Sequence, residues 1–409
     1  MIDSSKTFLK NGDDEYSYGC LCDFLSAADK YFPQIKTASL QDYLFNFILA
    51  LARGRDVVLL DSDLSESEIA ALGIGEAGKP EPLDSNAEFA RAEDIVSAVR
   101  ESPSKITVFT SGTTGIPKKV SHTVGTLSRA VRESPEYANH IWGFAYNPTH
   151  MAGLQVLFQA LFNGNKIVNL FGLKKEDILS EIGGNNVSHI SATPTFYRLL
   201  LPIQTPLASV RRITCGGEKS DDKLYAKLLE AFPNAKINNI YASTEFGTLL
   251  ASSGEFFRIR ESDSDKIKIE NGELVVHKSM LGFSDSLKLD GDWYHTGDIV
   301  VFQNPEKTLF KFLARDINIL NVGGYKVNIE EVEDTLREMP QISDVVVYGR
   351  KNSVLGNILC ADIKLLPDAE LSVVETKSFL EKKLQYFKIP RKINFVDSIE
   401  FTKSGKIKR

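Results

Sequence analysis

Two hydrophobic periods alternate along the chain up to about residue 250, and few folds accommodate that alternation. Ser39–Ala52 carries Leu40, Leu44, Phe47, Ile48 and Leu51, a spacing that places apolar side chains on one face of a helix. Arg53-Gly54-Arg55 breaks the pattern, and the uninterrupted run Val57-Val58-Leu59-Leu60 follows. A strand apolar on both sides must be covered on both. Further short strands are predicted at Lys105–Phe109, Lys166–Leu170, His189–Ala192, Arg212–Cys215 and Lys236–Tyr241, with helical stretches between most of them. Helix and buried strand in turn predict a parallel sheet with helices on its faces.

From about residue 256 the pattern shortens. Phe257–Ile259, Lys266–Ile269, Glu273–His277 and Trp293–Phe302 read as strands, and Asn271-Gly272 is a hairpin signal. A last unit contains a helical pattern at Ile329–Glu338, strands at Asp344–Tyr348 and near Ile358–Leu365, and a second helix at Glu375–Gln385. A chain of 409 residues suits two or three domains. The expected fold is a multidomain α/β protein. Residues 1–314 would form a large N-terminal domain of α/β layers plus a β section. Residues 315–409 would form a small α+β domain, with a hinge near Arg315 and the active site in the cleft between the two.

Charge and cysteine content exclude several classes. The net charge is −6 and the basic residues are scattered, apart from Lys403, Lys406, Lys408 and Arg409, so nucleic-acid binding is not expected. Cys20, Cys22, Cys215 and Cys360 make no CxxC pair and no metal-spaced cluster. They read as reduced thiols of a cytosolic protein. The N-terminus lacks an apolar signal core. The stretch Tyr43–Leu60 is interrupted by Arg53 and Arg55 and does not span a membrane.

The segment Val108–Lys118, VFTSGTTGIPK, is the most informative. A buried strand leads into a loop with the hydroxyls of Thr110, Ser111, Thr113 and Thr114, the glycines Gly112 and Gly115, and Lys118. Glycines let backbone N–H groups approach an anion, and hydroxyls add donors. This suits nucleotide phosphates, although no GxxxxGK[ST] pattern can be laid on it. The string resembles the phosphate loop of the superfamily of acyl-CoA synthetases, nonribosomal-peptide adenylation domains and firefly-type luciferases. Further segments resemble that superfamily's motifs in order: YASTEFG (Tyr241–Gly247), YHTGDIV (Tyr294–Val300), LARDINILNVGGYKVNIEEVE (Leu313–Glu333) and FTKSGKIKR (Phe401–Arg409). Before residue 108 the match is weaker and shorter.

The resemblance assigns roles. Tyr241 would offer its ring to adenine, Thr244 a hydrogen bond to the α-phosphate, and Glu245 a carboxylate to Mg²⁺, a hard cation. Taken alone, Ser243-Thr244-Glu245 also reads as a capped helix start. Asp298 and Arg315 would hold the ribose, though Thr296-Gly297-Asp298 alone is ordinary turn chemistry. Lys406 would steady charge between the attacking carboxylate and the α-phosphate. His150 resembles a histidine between acid pocket and thiol tunnel, although Pro148 stands one place closer to it than is usual. Asp316, Ile317, Gly323 and Gly324 would form the hinge and the thiol-tunnel loop. Lys119 and Ile317 depart from the superfamily's pattern, which commonly has Gly, and Asp or Lys, at those places.

The resemblance therefore implies ATP-dependent conversion of a carboxylic acid to an acyl-adenylate, then transfer to a thiol. Gly216, Gly217 and Ala242 would join His150 around the acid. Gly143–Pro148 carries no acidic residue to pair an amine, so an aryl or other hydrophobic acid is expected rather than an α-amino acid. The run Thr149–Gly164 is similar to aryl- and succinylbenzoate-CoA ligases. With no carrier-protein domain expected in the chain, the acceptor would be coenzyme A or the phosphopantetheine of a separate carrier protein. A non-catalytic nucleotide-binding relative is the remaining alternative.

Overall fold

The alternation of periods becomes a parallel sheet. A computed structural model describes residues 2–74, 78–84, 87–110, 118–217, 220, 222–314, 319–352 and 356–399. Its largest sheet has eight strands: β1 (Thr7–Asn11), β2 (Asp14–Ser17), β3 (Ile141–Phe144), β4 (Lys166–Asn169), β5 (His189–Ala192), β6 (Arg212–Gly216), β7 (Lys236–Ser243) and β8 (Gly247–Ser252). Their spatial order is β8-β7-β6-β5-β3-β4-β1-β2. The six central strands pair in parallel, and the edges β2 and β8 are antiparallel. The helix Met151–Phe162 follows β3, and Pro194–Leu200 and Asp222–Ala231 follow β5 and β6. Residues of one parity, such as Ile190, Ile213 and Cys215, are buried in one apolar cluster, which leaves the opposite parity to the other face.

Sequence reasoning missed the N-terminal hairpin β1–β2. Its turn residue Gly12 lies at φ +61, a left-handed position glycine takes without steric cost. A second, four-stranded sheet contains Gln34–Ile35, Val57–Leu59, Ile106–Thr110 and Lys118–His122 in that order. The helix Leu40–Ala52 is buried on most of its surface, including Tyr43, Leu44, Phe47, Ile48 and Leu51.

The β section is a five-stranded sheet built around Glu273–His277 and Trp293–Phe302. Asn271 and Gly272, at φ +51 and +82, form the expected two-residue hairpin turn. Phe257–Ile259, expected as a strand, contributes only one bridge, Phe257 to Phe310.

The chain divides into two compact units. The larger comprises Met1–Ser62, Glu76–Phe109 and Lys119–Ala314. The smaller takes Asp63–Gly75 and Thr110–Lys118 together with Arg315–Arg409. Within the smaller unit, Ile342–Asn352 pairs antiparallel with Gly356–Leu365, which pairs in parallel with Lys392–Phe395. The helix Ile329–Arg337 packs Ile329, Val332 and Leu336 into that unit's core. The expected Glu375–Gln385 helix runs instead over Val373–Glu381, because Ser372 and Glu375 form a capping box that fixes its start. The short helix Glu66–Ala71 belongs here too: buried Lys388 lies 2.9 Å from Glu331 and 3.5 Å from Glu68.

Candidate active site

Three parallel strands carry expected site residues at their C-terminal ends, where open α/β sheets bind ligands. β3 leads through Ala145–Thr149 to His150, β6 ends on Gly216 and Gly217, and β7 runs into Tyr241–Glu245. Gly216 pairs with Ile240, and Ala242 with Thr248. A Cβ on Gly216 would meet Ile240 Cγ1 at 2.7 Å and the Tyr146 hydroxyl at 3.1 Å. Gly217, at φ +80, turns the chain away from the sheet.

The helix-start reading of Ser243-Thr244-Glu245 is overturned. These residues lead into a hairpin turn, Thr244–Phe246, between β7 and β8. Gly247 closes it at φ +69, the left-handed position that a three-residue hairpin loop requires. Three successive carbonyls of the turn are clamped. His122 Nε2 donates to Thr244 O at 2.8 Å, Gly282 N to Glu245 O at 2.7 Å, and the Arg129 guanidinium to Phe246 O at 2.6 Å. Burial pushes the His122 imidazole below its usual pKa. A neutral ring with its proton on Nε2 makes this bond, while Nδ1 lies 3.3 Å from Thr126 Oγ1, whose hydroxyl donates to Thr123 O at 2.9 Å. The Glu245 carboxylate itself makes no hydrogen bond or ion pair with another described residue, although the residue is only 9% exposed. The backbone of this acid is thus fixed while its oxygens are left for something else.

Tyr241 and Asp298 come together from different sheets. The phenol donates to the Asp298 carboxylate at 2.5 Å, and its ring stacks on Phe312 with centroids 4.2 Å apart. Asp298 sits inside the strand Trp293–Phe302 rather than in a free turn. A register shift opposite Glu273–Val275, with Gly297 at φ +73, forms a bulge there that re-aims the side chain. Glu273 accepts from Gly297 N at 2.7 Å, and Thr296 Oγ1 accepts from Asp298 N at 3.0 Å.

His150 precedes the helix Met151–Phe162, half-exposed, with Nε2 3.3 Å from Asp61 Oδ2. Asp61 also accepts from Asn147 Nδ2 at 3.1 Å and from the Thr149 hydroxyl. Sequence reasoning found neither Asp61 nor His122. Each lies far along the chain from the group it holds and carries no local pattern.

A family model described as AMP-binding enzyme matches residues 47–271, more than half of the chain. The chain belongs to the AMP-binding enzyme family. A second model, the AMP-binding enzyme C-terminal domain, matches residues 331–406. Among curated relatives, 4-hydroxybutyrate–CoA ligase 1 of Metallosphaera sedula is 29% identical over 82% of this chain and 64% of its own length. A 2-succinylbenzoate–CoA ligase of Staphylococcus aureus is 25% identical over 74% of this chain and 65% of its own. The chain thus spans just under two thirds of the length of these relatives. The crystal structure of o-succinylbenzoate CoA synthetase from Bacillus subtilis has the same fold, with a TM-score of 0.75 at 20% identity over 99% of this chain and 94% of that one.

In this AMP-binding enzyme family member, Gly323 and Gly324 form a two-residue hairpin turn of the smaller unit, between Ile319–Val322 and Tyr325–Asn328. Their φ values of +61 and +92 explain two successive glycines. Thr110 ends one strand and Lys118 begins the next in the same sheet. Ser111, Gly112, Thr113, Thr114 and Gly115, then Arg315, Asp316 and Ile317, and finally Lys406, lie outside the described residues, as does the Thr110 side chain. No helix among the described residues is long and apolar enough to cross a membrane.

Proposed function

We propose that this chain activates a carboxylic acid with ATP and passes the acyl group to the thiol of coenzyme A, releasing pyrophosphate and then AMP. The observation that carries the reading is Glu245. Its carboxylate, on a residue only 9% exposed, has no hydrogen-bonded or ion-paired described partner and sits on a turn clamped at three carbonyls, at the C-terminal ends of parallel strands in an AMP-binding enzyme.

In the first step a substrate carboxylate oxygen attacks the α-phosphorus, and the bond from that phosphorus to the bridging oxygen of pyrophosphate breaks. The loop with Thr110, Ser111, Gly112, Thr113, Thr114, Gly115 and Lys118 cradles the departing phosphates. Thr244 donates to the α-phosphate, and Lys406 stabilises the charge that develops there. Tyr241 faces adenine, while Asp298 and Arg315 hold the ribose. A single carboxylate fits Mg²⁺, which binds through one or two carboxylates plus substrate phosphates. Among the described residues no cluster of three His, Cys, Asp or Glu offers a fuller metal cage. When bound, Mg²⁺ would neutralise phosphate charge next to Glu245.

In the second step the thiol sulfur attacks the acyl carbon, and the bond to the AMP oxygen breaks. His150, braced by Asp61, stands between acid and thiol. Gly216, Gly217 and Ala242 border the acid. Asp316, Ile317, Gly323 and Gly324 form the hinge and the loop that accompanies the thiol. The acid is read as aryl or otherwise hydrophobic rather than an α-amino acid, since Gly143–Pro148 carries no acidic residue to pair an ammonium group. The four cysteines are free, which supports a reducing compartment, the cytosol.

Acid-dependent exchange of pyrophosphate into ATP tests the first step. Lys406→Ala should abolish that exchange yet spare thioester formation from supplied acyl-adenylate. Equal loss of both steps would make Lys406 structural. Parallel assays with coenzyme A and with a phosphopantetheinyl carrier protein decide the acceptor.

A further inference from the structure

The larger unit holds a cavity of about 1110 Å³ that the proposed catalytic groups do not use. Its floor is the face of β5–β7 that carries Gly216. Registers pair Arg212 with Lys236, Thr214 with Asn238, and Gly216 with Ile240, while His189 and Ser191 of β5 lie beside Arg212 and Thr214. Alternate residues of a strand share a face, so these side chains form three rungs. The opposite wall is the helix Met151–Phe162, whose Ala152, Gln155, Val156 and Gln159 follow the i, i+3, i+4, i+7 stripe.

The rungs change chemistry in order. The innermost, Gly216–Ile240, is apolar; Ile240 lines the cavity and Gly216 is its register partner. The middle rung offers Ser191, Thr214 and Asn238. None of these three side chains hydrogen-bonds another described residue, and Ser191 is only 6% exposed. With no hydrogen-bond partner among the described residues, these groups are open to water or a ligand. The outer rung is cationic. Arg132, Arg211, Arg212, Lys236 and Arg260 line the opening against the single carboxylate of Glu136. None of the five is ion-paired with a described residue. A chain with 54 acidic and 48 basic residues does not produce that bias by composition, and a cleft lined by one sign of charge concentrates the opposite charge. His140 and His189, stacked with centroids 3.9 Å apart, lie behind this rim. Burial, with Arg211 and Arg212 nearby, keeps both below their usual pKa.

We propose that the cavity seats a carboxylic acid bearing a second anionic group at its far end. The reacting carboxyl would lie beyond Gly216 and the distal carboxylate or phosphate would sit at Arg212 and Lys236. Four residues of strand separate Gly216 from Arg212, a span of about 13 Å. The proposal rests on the ligase reading and names the substrate class for it: an extended chain between the reacting carboxyl and a charged terminus.

The test uses the full chain with decanedioic and dodecanedioic acids against decanoic and dodecanoic acids. Two readouts are taken: acid-dependent pyrophosphate exchange, and thermal stabilisation by acid alone. The diacids should be preferred by about tenfold or more in kcat/KM. In the double variant Arg212→Gln/Lys236→Gln the diacid-to-monoacid ratio should collapse to about one. Both side chains are exposed, so the variant should fold, and its melting temperature without acid verifies this. Equal or better use of the monoacids, a preference that survives the double variant, or no response to any diacid in either readout overturns the proposal. Exchange with monoacids alone sinks the cavity reading and leaves the ligase reading standing. Stabilisation by diacids that the double variant loses, with no exchange, supports the cavity and sinks the ligase reading.

Discussion

β5, β6 and β7 have two ends that do opposite things. Their C-terminal ends lead to Gly216, Tyr241 and the clamped Glu245 turn, where the backbone is held at successive carbonyls and one carboxylate has no hydrogen-bonded or ion-paired partner among the described residues. Their N-terminal ends carry His189, Arg212 and Lys236, where charged side chains crowd an opening. The first end resembles a site for one fixed chemistry on a nucleotide. The second resembles a reader of whatever the acid carries beyond its carboxyl. On the proposed function, separating the two along a strand would let specificity vary without disturbing the phosphate chemistry.

Glu245→Gln should cause the largest change. It keeps volume and hydrogen-bonding capacity but removes the anion, so pyrophosphate exchange at limiting Mg²⁺ should fall roughly 100-fold, with partial recovery as Mg²⁺ rises. The melting temperature should stay put, because the clamps use backbone carbonyls. Unchanged exchange across a Mg²⁺ titration would remove Glu245 from the metal.

The other end should report on stability with pH. The folded pKa of His189 is pushed down from 6.5 to about 3, by burial first and then by His140, Arg212 and Arg211. A depressed pKa means the unfolded chain takes up the proton first. The contribution is therefore complete above pH 6.5 and is lost as pH falls through about 3. At pH 4.5 the loss from this ring should be about 2–3 kcal/mol. Urea titrations across that window should show a flatter pH dependence for His189→Asn than for the wild type. Parallel curves would mean that the ring is protonated in the folded state.

The same two ends differ in how legible they were. The alternation of helical and apolar runs exposed the parallel sheet, because burial on both faces forces a contiguous pattern. Tyr241–Gly247 was legible as a motif because its residues act within one turn, although its helix-cap reading failed: Gly247 at φ +69 could not be foreseen from Ser-Thr-Glu. The cationic rim was invisible. Arg212 and Lys236 are twenty-four places apart and become neighbours only through the β6–β7 register. Gln155 and Gln159 sit in a run that reads as apolar, yet one accepts from Thr248 Oγ1 at 2.9 Å and the other binds the backbone of Arg132 on the cavity side. Asp61 and His122 were hidden for the same reason, since each acts through a contact distant in sequence.

Asp61→Asn should have an intermediate effect confined to the catalytic end. The carboxylate orients the His150 ring and favours a proton on the nitrogen facing it. An amide can present a donor where an acceptor is needed. Thioester formation from supplied acyl-adenylate should slow about tenfold, and its pH profile should shift because the ring has lost an anionic neighbour. Pyrophosphate exchange should change much less. A equal slowing of both steps, with no change in pH profile, would make Asp61 a general support of the loop instead.

Gly216→Ala probes the seam between the ends and should have the smallest effect. The added methyl would lie 2.7 Å from Ile240 Cγ1, too close to stand, so Ile240 must move. It can do so because its side chain borders the cavity rather than a packed core. Overpacking in a filled core costs about 1–3 kcal/mol, and open space beside Ile240 should keep the stability loss at the low end. If the acid runs past Gly216 as proposed, the methyl would narrow its path, so KM for the acid should rise roughly threefold to tenfold. The dependence on ATP and Mg²⁺ should hold, since Gly216 is paired to β7 through its backbone and the Glu245 turn is held by His122, Gly282 and Arg129. If ATP dependence moves together with acid KM, the two ends are mechanically coupled through β7 and the division of labour along these strands fails.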